Sequence, residues 1–318
     1  MATIGIFLSS EEQSAPRIVD IARKAEDAGF RAAWISDHFH PWINAQGESP
    51  FVWSAIGAIA AATREMRVTT AVTCPTVRIH PAIIAQAAAT SATLLPDGRF
   101  ALGVGSGEAL NEHILGDPWP GITQRLSMLE EAVAIMRELW EGRVVNYDGQ
   151  HYVVDRARLY SLPDEPPPVL VSGFGPKAMA VAARIGDGYI NVAPQGDAVA
   201  RYRELGGKGP AQGGMKVCWG QDEAECVKTV LRLWPTEALS GELPQLLPMP
   251  AHYEQATELV TEEHIAGTLP CGPDADRHVS AIREYLDAGY DEVYVSQIGD
   301  DQEGFLEFYK NEVLPKFA

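Results

Sequence analysis

Residues 3–36 read TIGIFLSSEEQSAPRIVDIARKAEDAGFRAAWIS, and this stretch decides the fold. An apolar run, TIGIFL, is followed by a segment in which Ile18, Ile21, Ala22 and Ala25 recur at helical spacing, with Gly29 as its stop. A second apolar run, AAWIS at 32–36, completes a strand–helix–strand unit. The unit recurs, with further strand-like runs at 68–73 (VTTAVT), 100–105 (FALGVG), 168–173 (PVLVSG), 189–193 (YINVA), 215–219 (MKVCW) and 292–297 (EVYVSQ). PAIIAQAAATSATLL, ITQRLSMLEEAVAIMRELWEG, PKAMAVAARIG and DADRHVSAIREYLDAG supply further amphipathic helices. Continuously apolar strands suit a parallel sheet covered on both faces, and eightfold strand–helix alternation predicts a closed (β/α)8 TIM barrel of the α/β class. The structural alternative, an open doubly wound sheet, is disfavoured because the first strand–helix turn, LSSEEQSAPR, lacks the GxGxxG fingerprint of dinucleotide binding.

Two connections exceed a simple strand–helix unit. After strand four, about 107–167, a helix precedes VVNYDGQHYVVD, whose Asp148-Gly149 predicts a small hairpin. After strand seven, about 220–290, the segment WPTEALSGELPQLLPMP predicts a loop with short helical turns over one barrel end. Both read as insertions into one barrel domain spanning 1–318.

The chain carries 43 acidic and 25 basic residues, a net charge of −18, and has no basic run able to track a phosphate backbone, so no nucleic-acid partner is expected. Its start, MATIGIFLSSEEQ, reads as a strand rather than a signal peptide, and no membrane span is expected. A cytoplasmic protein acting on a small molecule is the expectation. Cys74, Cys218, Cys226 and Cys271 show no metal-ligand spacing, so buried free thiols are expected and no metal. There is no nucleophile elbow, HExxH or Walker A motif.

In this fold chemistry gathers at the carboxyl ends of the strands. Glu11 and Glu12 follow strand one, and SDHFHPW (36–42) brings Asp37, His38, His40 and Trp42 after strand two. CPTVRIHP follows strand three and GSGEALNEH strand four, while SGFGP, APQG and SQIG close strands five, six and eight. His38 is a candidate general acid or base, because imidazole titrates near neutral pH. Asp37 beside it points to the opposite face if the strand alternation continues. His40 reads as a loop residue, and Asp187 as a turn residue. Glu12 and Glu108 are each either proton carriers or acids favouring a helix start. Two glycine-rich turns before helices, GVGSGEALNEH and SGFGPK, suit an anionic group such as the phosphate of a cofactor.

The motifs SEEQSAPR, SDHFHPW, TCPTVRIHPAIIAQAAAT, GVGSGEALNEH, WEGRVVNYDGQHY and RIGDGYI occur in an order that resembles the coenzyme F420-dependent enzymes of the luciferase-like superfamily. The resemblance is to the branch of F420-dependent glucose-6-phosphate dehydrogenase and secondary alcohol dehydrogenase. It runs from residue 3 to about 195 and resumes at FLEFYKNEVLPKF. It implies a luciferase-like barrel, a homodimer, and coenzyme F420 at the carboxyl ends of the strands. It also implies that Asp37 lies near the deazaflavin ring and that His38 and Trp42 face the substrate. His38 would take the hydroxyl proton as hydride leaves the carbon, Glu108 would be the acid for the reduced ring nitrogen, and Glu12 would line the same pocket. Ala71–Val72 would be a non-prolyl cis peptide behind the ring. Ser106, Gly107, Asn111, Ser172, Gly175 and Pro176 would hold the ribityl and phosphate groups.

The sequence departs from the glucose-6-phosphate enzymes where they hold the sugar phosphate with two lysines and an arginine. Gln195 aligns with one lysine and Thr268 with the arginine, and EALSGELPQLLPMP contains no basic residue for the other. Lys208, Lys216, Lys228 and Arg232 remain as substitutes. The expected reaction is therefore F420-dependent oxidation of an alcohol or sugar other than glucose 6-phosphate. The same cofactor working in reverse, reducing a ketone, imine or enone, is an alternative, as is an FMN-dependent monooxygenase.

Overall fold

The computed structural model describes residues 2–317. β1 (Thr3–Leu8), α1 (Ala15–Ala28), β2 (Ala32–Ile35), α2 (Val52–Ala62), β3 (Arg67–Thr70), α3 (Pro81–Leu94), β4 (Phe100–Val104), α4 (Ala109–Glu112) and α5 (Ile122–Trp140) come first. A two-stranded hairpin, β5 (Val145–Asp148) and β6 (Val153–Ala157), precedes β7 (Val169–Ser172), α6 (Pro176–Ile185), β8 (Gly188–Asn191), α7 (Gly196–Glu204) and β9 (Ala211–Val217). There follow α8 (Glu223–Leu233), α9 (Leu243–Leu246), α10 (Pro250–Ala256), α11 (Glu262–Ile265), α12 (Ala275–Asp287), β10 (Glu292–Gln297) and α13 (Gln302–Phe308). The barrel closes in the order β1-β10-β9-β8-β7-β4-β3-β2 with every pairing parallel. This is the (β/α)8 architecture read from the alternation of apolar runs. The hairpin after β4 and the short helices α9 to α11 after α8 occupy the two long connections.

The main core lies between strands and helices, where Ile18, Ile21, Ala22 and Ala25 of α1 turn inward as their spacing requires. Inside the barrel Trp34 stacks on Tyr294 at 4.6 Å, packs with Leu170 and Ile190, and donates its Nε1 hydrogen to Gln212 Oε1 at 2.8 Å. Two strands depart from their sequence positions, β9 at its start and β3 at its end, and this indole accounts for a glycine that hides the first. β9 begins at Ala211, not at 215; its first half is masked in the sequence by glycines, and Gly214 faces Trp34, where a Cβ would collide with the ring. β3 stops at Thr70, before a cis peptide at Ala71–Val72. The four cysteines are free and buried. Among the described residues, no helix is long and apolar enough to cross a membrane.

Candidate active site

The loops after β1, β2 and β4 converge on His38. Its side chain is only 10% exposed, with Nδ1 3.3 Å from the His40 carbonyl oxygen and 3.5 Å from Glu11 Oε1. On the other side Nε2 lies 3.4 Å from Glu108 Oε1, and the ring sits 5.1 Å from that of Trp42. The loop is held by Gln46, whose Oε1 accepts from the Trp42 amide and whose Nε2 donates to the Leu233 carbonyl of α8. Trp42 meets Tyr253 edge-on at 5.3 Å and bridges two apolar clusters, one around Trp234, Ile265 and Leu269 and one around Ile43, Leu110 and Tyr253.

Asp37 points the other way, although β2 has already ended at Ile35. Its buried carboxylate accepts from Thr73 Oγ1 and from Arg78 Nη2, both at 2.8 Å. Arg78 also reaches Glu112, whose carboxyl is raised chiefly by burial, partly offset by the Arg78 amide that donates to it. Glu12 turns to the long connection after α8, the lid of the barrel mouth (residues 234–270): Oε1 accepts from the Trp234 indole at 2.5 Å and Oε2 from the Gly299 amide at 2.9 Å. Burial pushes its carboxyl up to about 7 against the pull of those two donors, with Glu11 adding to the rise.

Glu108 precedes α4 but caps nothing; its Oε1 accepts from Asn111 Nδ2 at 2.8 Å. Asn111 is fully engaged, since its Oδ1 also accepts the amides of Phe39 and His40. It therefore ties the β4 loop to the β2 loop instead of presenting an amide to the barrel mouth. His40 serves the same junction through Nδ1 and the Leu110 carbonyl. Ser106 and Gly107 are half-buried, and Gly107 has φ +75° with Cys74 Sγ 2.4 Å from where a Cβ would stand.

Ala71 and Val72 line the apolar interior beside Trp34 and Leu170. Across the barrel Ser172 ends β7, and the exposed Gly175 begins α6 with no side-chain cap and open space around it. Pro176 and Lys177 follow in the first turn, both exposed. Asp187 does more than turn the chain: it accepts the Val169 amide and pairs with Arg137.

Gln195 is exposed before α7, and Thr268 turns its hydroxyl onto the Ile265 carbonyl. Of the four substitute cations, Lys208 precedes β9 and so stands at the amino end of the barrel. Lys228 is exposed and pairs with Glu225, and Arg232 is exposed on α8. Lys216 alone shares the parity of the inward-facing Gln212 and Gly214 and reaches the mouth. Its Nζ is paired with Glu237 at 2.9 Å and sits 4.3 Å over the Trp234 ring. Sequence reasoning did not assign Glu11 or Arg78; both follow barrel strands, and only their partners across loops distinguish them.

The model of the luciferase-like monooxygenase family matches residues 1–292. The chain is 35% identical to the F420-dependent glucose-6-phosphate dehydrogenase of Beutenbergia cavernae, over 98% of this chain and 96% of that one. It is 34% identical to the enzyme of the same description from Nakamurella multipartita, over 98% and 95%. Among solved structures, an F420-dependent secondary alcohol dehydrogenase in complex with an F420-acetone adduct superposes with a TM-score of 0.89 at 30% identity, covering 98% of both chains. The chain therefore belongs to the luciferase-like family, in the branch that includes F420-dependent glucose-6-phosphate and secondary alcohol dehydrogenases.

Proposed function

We propose that this protein is an F420-dependent dehydrogenase that oxidises an uncharged, partly apolar alcohol. The observation that carries this reading is His38, held with Nε2 toward Glu108 and its ring beside Trp42 at the carboxyl end of the barrel. The residues present fit the cofactor. Ala71 and Val72 offer an apolar wall to a flat ring, Ser106 and Gly107 a turn nearly free of side chains, and Ser172, Gly175 and Pro176 a helix start with no side-chain cap, suited to a phosphate. Lys177 adds a cation to that first turn. Held there, F420 would supply the acceptor for the hydride that the alcohol carbon loses. His38 Nε2 takes the hydroxyl proton, Glu108 holds a second proton position 3.4 Å away, and Trp42 closes the apolar side of the mouth. Asp37 acts at one remove, fixing the β2 loop through Arg78 and Thr73.

The substrate class rests on charge. A phosphate dianion needs cationic partners, but Gln195 and Thr268 supply none and Lys216 is already paired with Glu237. The lid instead brings Trp234, Leu239, Leu247 and Tyr253. Exposed Phe51, Ile83 and Leu94 at neighbouring helices α2 and α3 support the reading of a homodimer.

The test is fluorescence titration with F420 and, separately, FMN, followed by turnover of small secondary alcohols and of glucose 6-phosphate. Selective F420 binding with alcohol turnover is expected. Binding of FMN alone overturns the cofactor assignment, and efficient glucose 6-phosphate oxidation overturns the substrate class. Turnover only with reduced cofactor and a carbonyl compound would assign the opposite direction.

A further inference from the structure

Glu11 is a buried acid at the barrel mouth with no lysine or arginine partner among the described residues. Two hydroxyls, Ser9 Oγ and Ser36 Oγ, both donate to its Oε2 at 2.8 Å. Ser36 Oγ in turn accepts the Ser10 amide and lies 2.8 Å from Ser10 Oγ, which donates either to it or to the Ser36 carbonyl. Oε1 is left facing His38 Nδ1 at 3.5 Å. The other neighbour of that nitrogen, the His40 carbonyl at 3.3 Å, also only accepts. Nδ1, with two acceptors against the single Glu108 Oε1 at Nε2, is the nitrogen that carries the hydrogen, and the lone pair stands on Nε2 when Glu108, the acid of this site, holds its own proton. The remaining charges nearby do not compete for Nδ1. Glu108, from the β4 loop, faces Nε2; Asp37 is paired with Arg78 from the β3 loop; Glu12 is turned to Trp234 and Gly299.

We propose that Glu11 is the positioning residue for His38, an inference that rests on the dehydrogenase reading above. With the His40 carbonyl it favours the Nδ1–H tautomer that leaves Nε2 free to take a proton, and its charge offsets the imidazolium that results. The hydroxyl proton of the alcohol would pass to Nε2 as its C–O bond becomes C=O, the hydride being the one that bound F420 would accept. Glu11 touches neither substrate nor cofactor in this scheme and acts only through the ring. The arrangement parallels the acid that orients histidine in hydrolytic triads, where an amide in its place leaves the geometry intact and imposes the wrong tautomer.

The hydroxyl pair makes the isosteric variant informative. In Glu11→Gln the two serines require an oxygen, so the carboxamide oxygen takes the place of Oε2 and the NH2 group faces Nδ1. A donor there forces the hydrogen onto Nε2. Glu11→Ala leaves the His40 carbonyl as acceptor and keeps the native tautomer. Long-range 15N–1H correlation spectra of the imidazoles, recorded on the protein without cofactor and assigned with His38→Ala, should show Nδ1–H in the wild type and in Glu11→Ala, and Nε2–H in Glu11→Gln. With cofactor and an alcohol, kcat should fall about 10²-fold or more in Glu11→Gln and less in Glu11→Ala, with F420 affinity within about twofold of wild type. A merely structural role predicts the reverse order, because Gln is the smaller change. An Nε2–H tautomer in the wild type overturns the proposal even if Glu11→Gln fails to fold, and so does a Glu11→Gln protein with native tautomer or near-native kcat. If the wild type turns over no alcohol, the dehydrogenase reading falls, while the spectra still decide whether Glu11 sets the tautomer.

Discussion

Replacing Glu12 by Gln should remove a pH dependence from the stability of the protein. Burial raises the Glu12 carboxyl from 4.5 to about 7, so across that interval the folded chain holds a proton that the unfolded chain releases. The contribution is therefore full below pH 4.5, is lost as pH rises, and is gone above about 7. At about 1.4 kcal/mol for each tenfold change, the whole effect is about 3 kcal/mol, of which about 2.5 kcal/mol falls between pH 5 and pH 8. Thermal unfolding of both proteins at those two pH values isolates it. Gln also disturbs the bonds from Trp234 and Gly299, but that offset is common to both pH values and cancels in the comparison. The wild type should lose several degrees more than Glu12→Gln on going from pH 5 to pH 8. Parallel losses in the two proteins would mean that Glu12 ionises like a surface carboxyl and that the desolvation argument for the lid side of the site is wrong.

His38→Ala should lower alcohol turnover by about 10²-fold or more while leaving F420 affinity within about twofold, measured by steady-state kinetics beside fluorescence titration. Asp37→Ala should leave buried Arg78 with only its longer contact to Glu112 and destabilise the protein by about 1 to 3 kcal/mol, read as a lowered denaturant midpoint. Gly107→Ala combines φ +75° with a Cβ 2.4 Å from Cys74 Sγ, so the turn must shift. A loss of about 1 to 3 kcal/mol, with weaker F420 binding, is expected.

The barrel was legible because each strand is a short apolar run and each α1-like helix has one apolar stripe. Where that contrast fails, so does the reading: VWSAIGAIAAA of α2 is apolar at nearly every position, and periodicity passes over it. The N-terminal half of β9 is hidden by its glycines, whose need appears only once Trp34 is in place across the barrel. The grouping of His38, Trp42 and Glu108 could be anticipated because a parallel barrel brings every strand's carboxyl end to one face. Finer assignments depend on contacts between loops far apart in sequence. Asn111 looks free in GEALNEH, yet Phe39 and His40, some 70 residues away, take up its oxygen. Glu11 and Glu12 are adjacent and chemically alike; one faces His38 and the other Trp234, and nothing local in SSEEQ separates them.

The charges at the mouth bear on one another as well as on the substrate. Glu11, Glu12 and Glu108 line it, while Lys216 is the one inward cation identified there and is drawn to Glu237 across the face of Trp234. A phosphate dianion entering this space would have to displace Glu237 from Lys216 and would still lie beside Glu108. A neutral alcohol meets no such cost, and its hydroxyl needs only one acceptor, which His38 Nε2 provides if Nδ1 keeps its hydrogen. The acids of the mouth thus divide the work: Glu108 faces an entering anion, while Glu11, buried behind His38, stands with the His40 carbonyl against Nδ1.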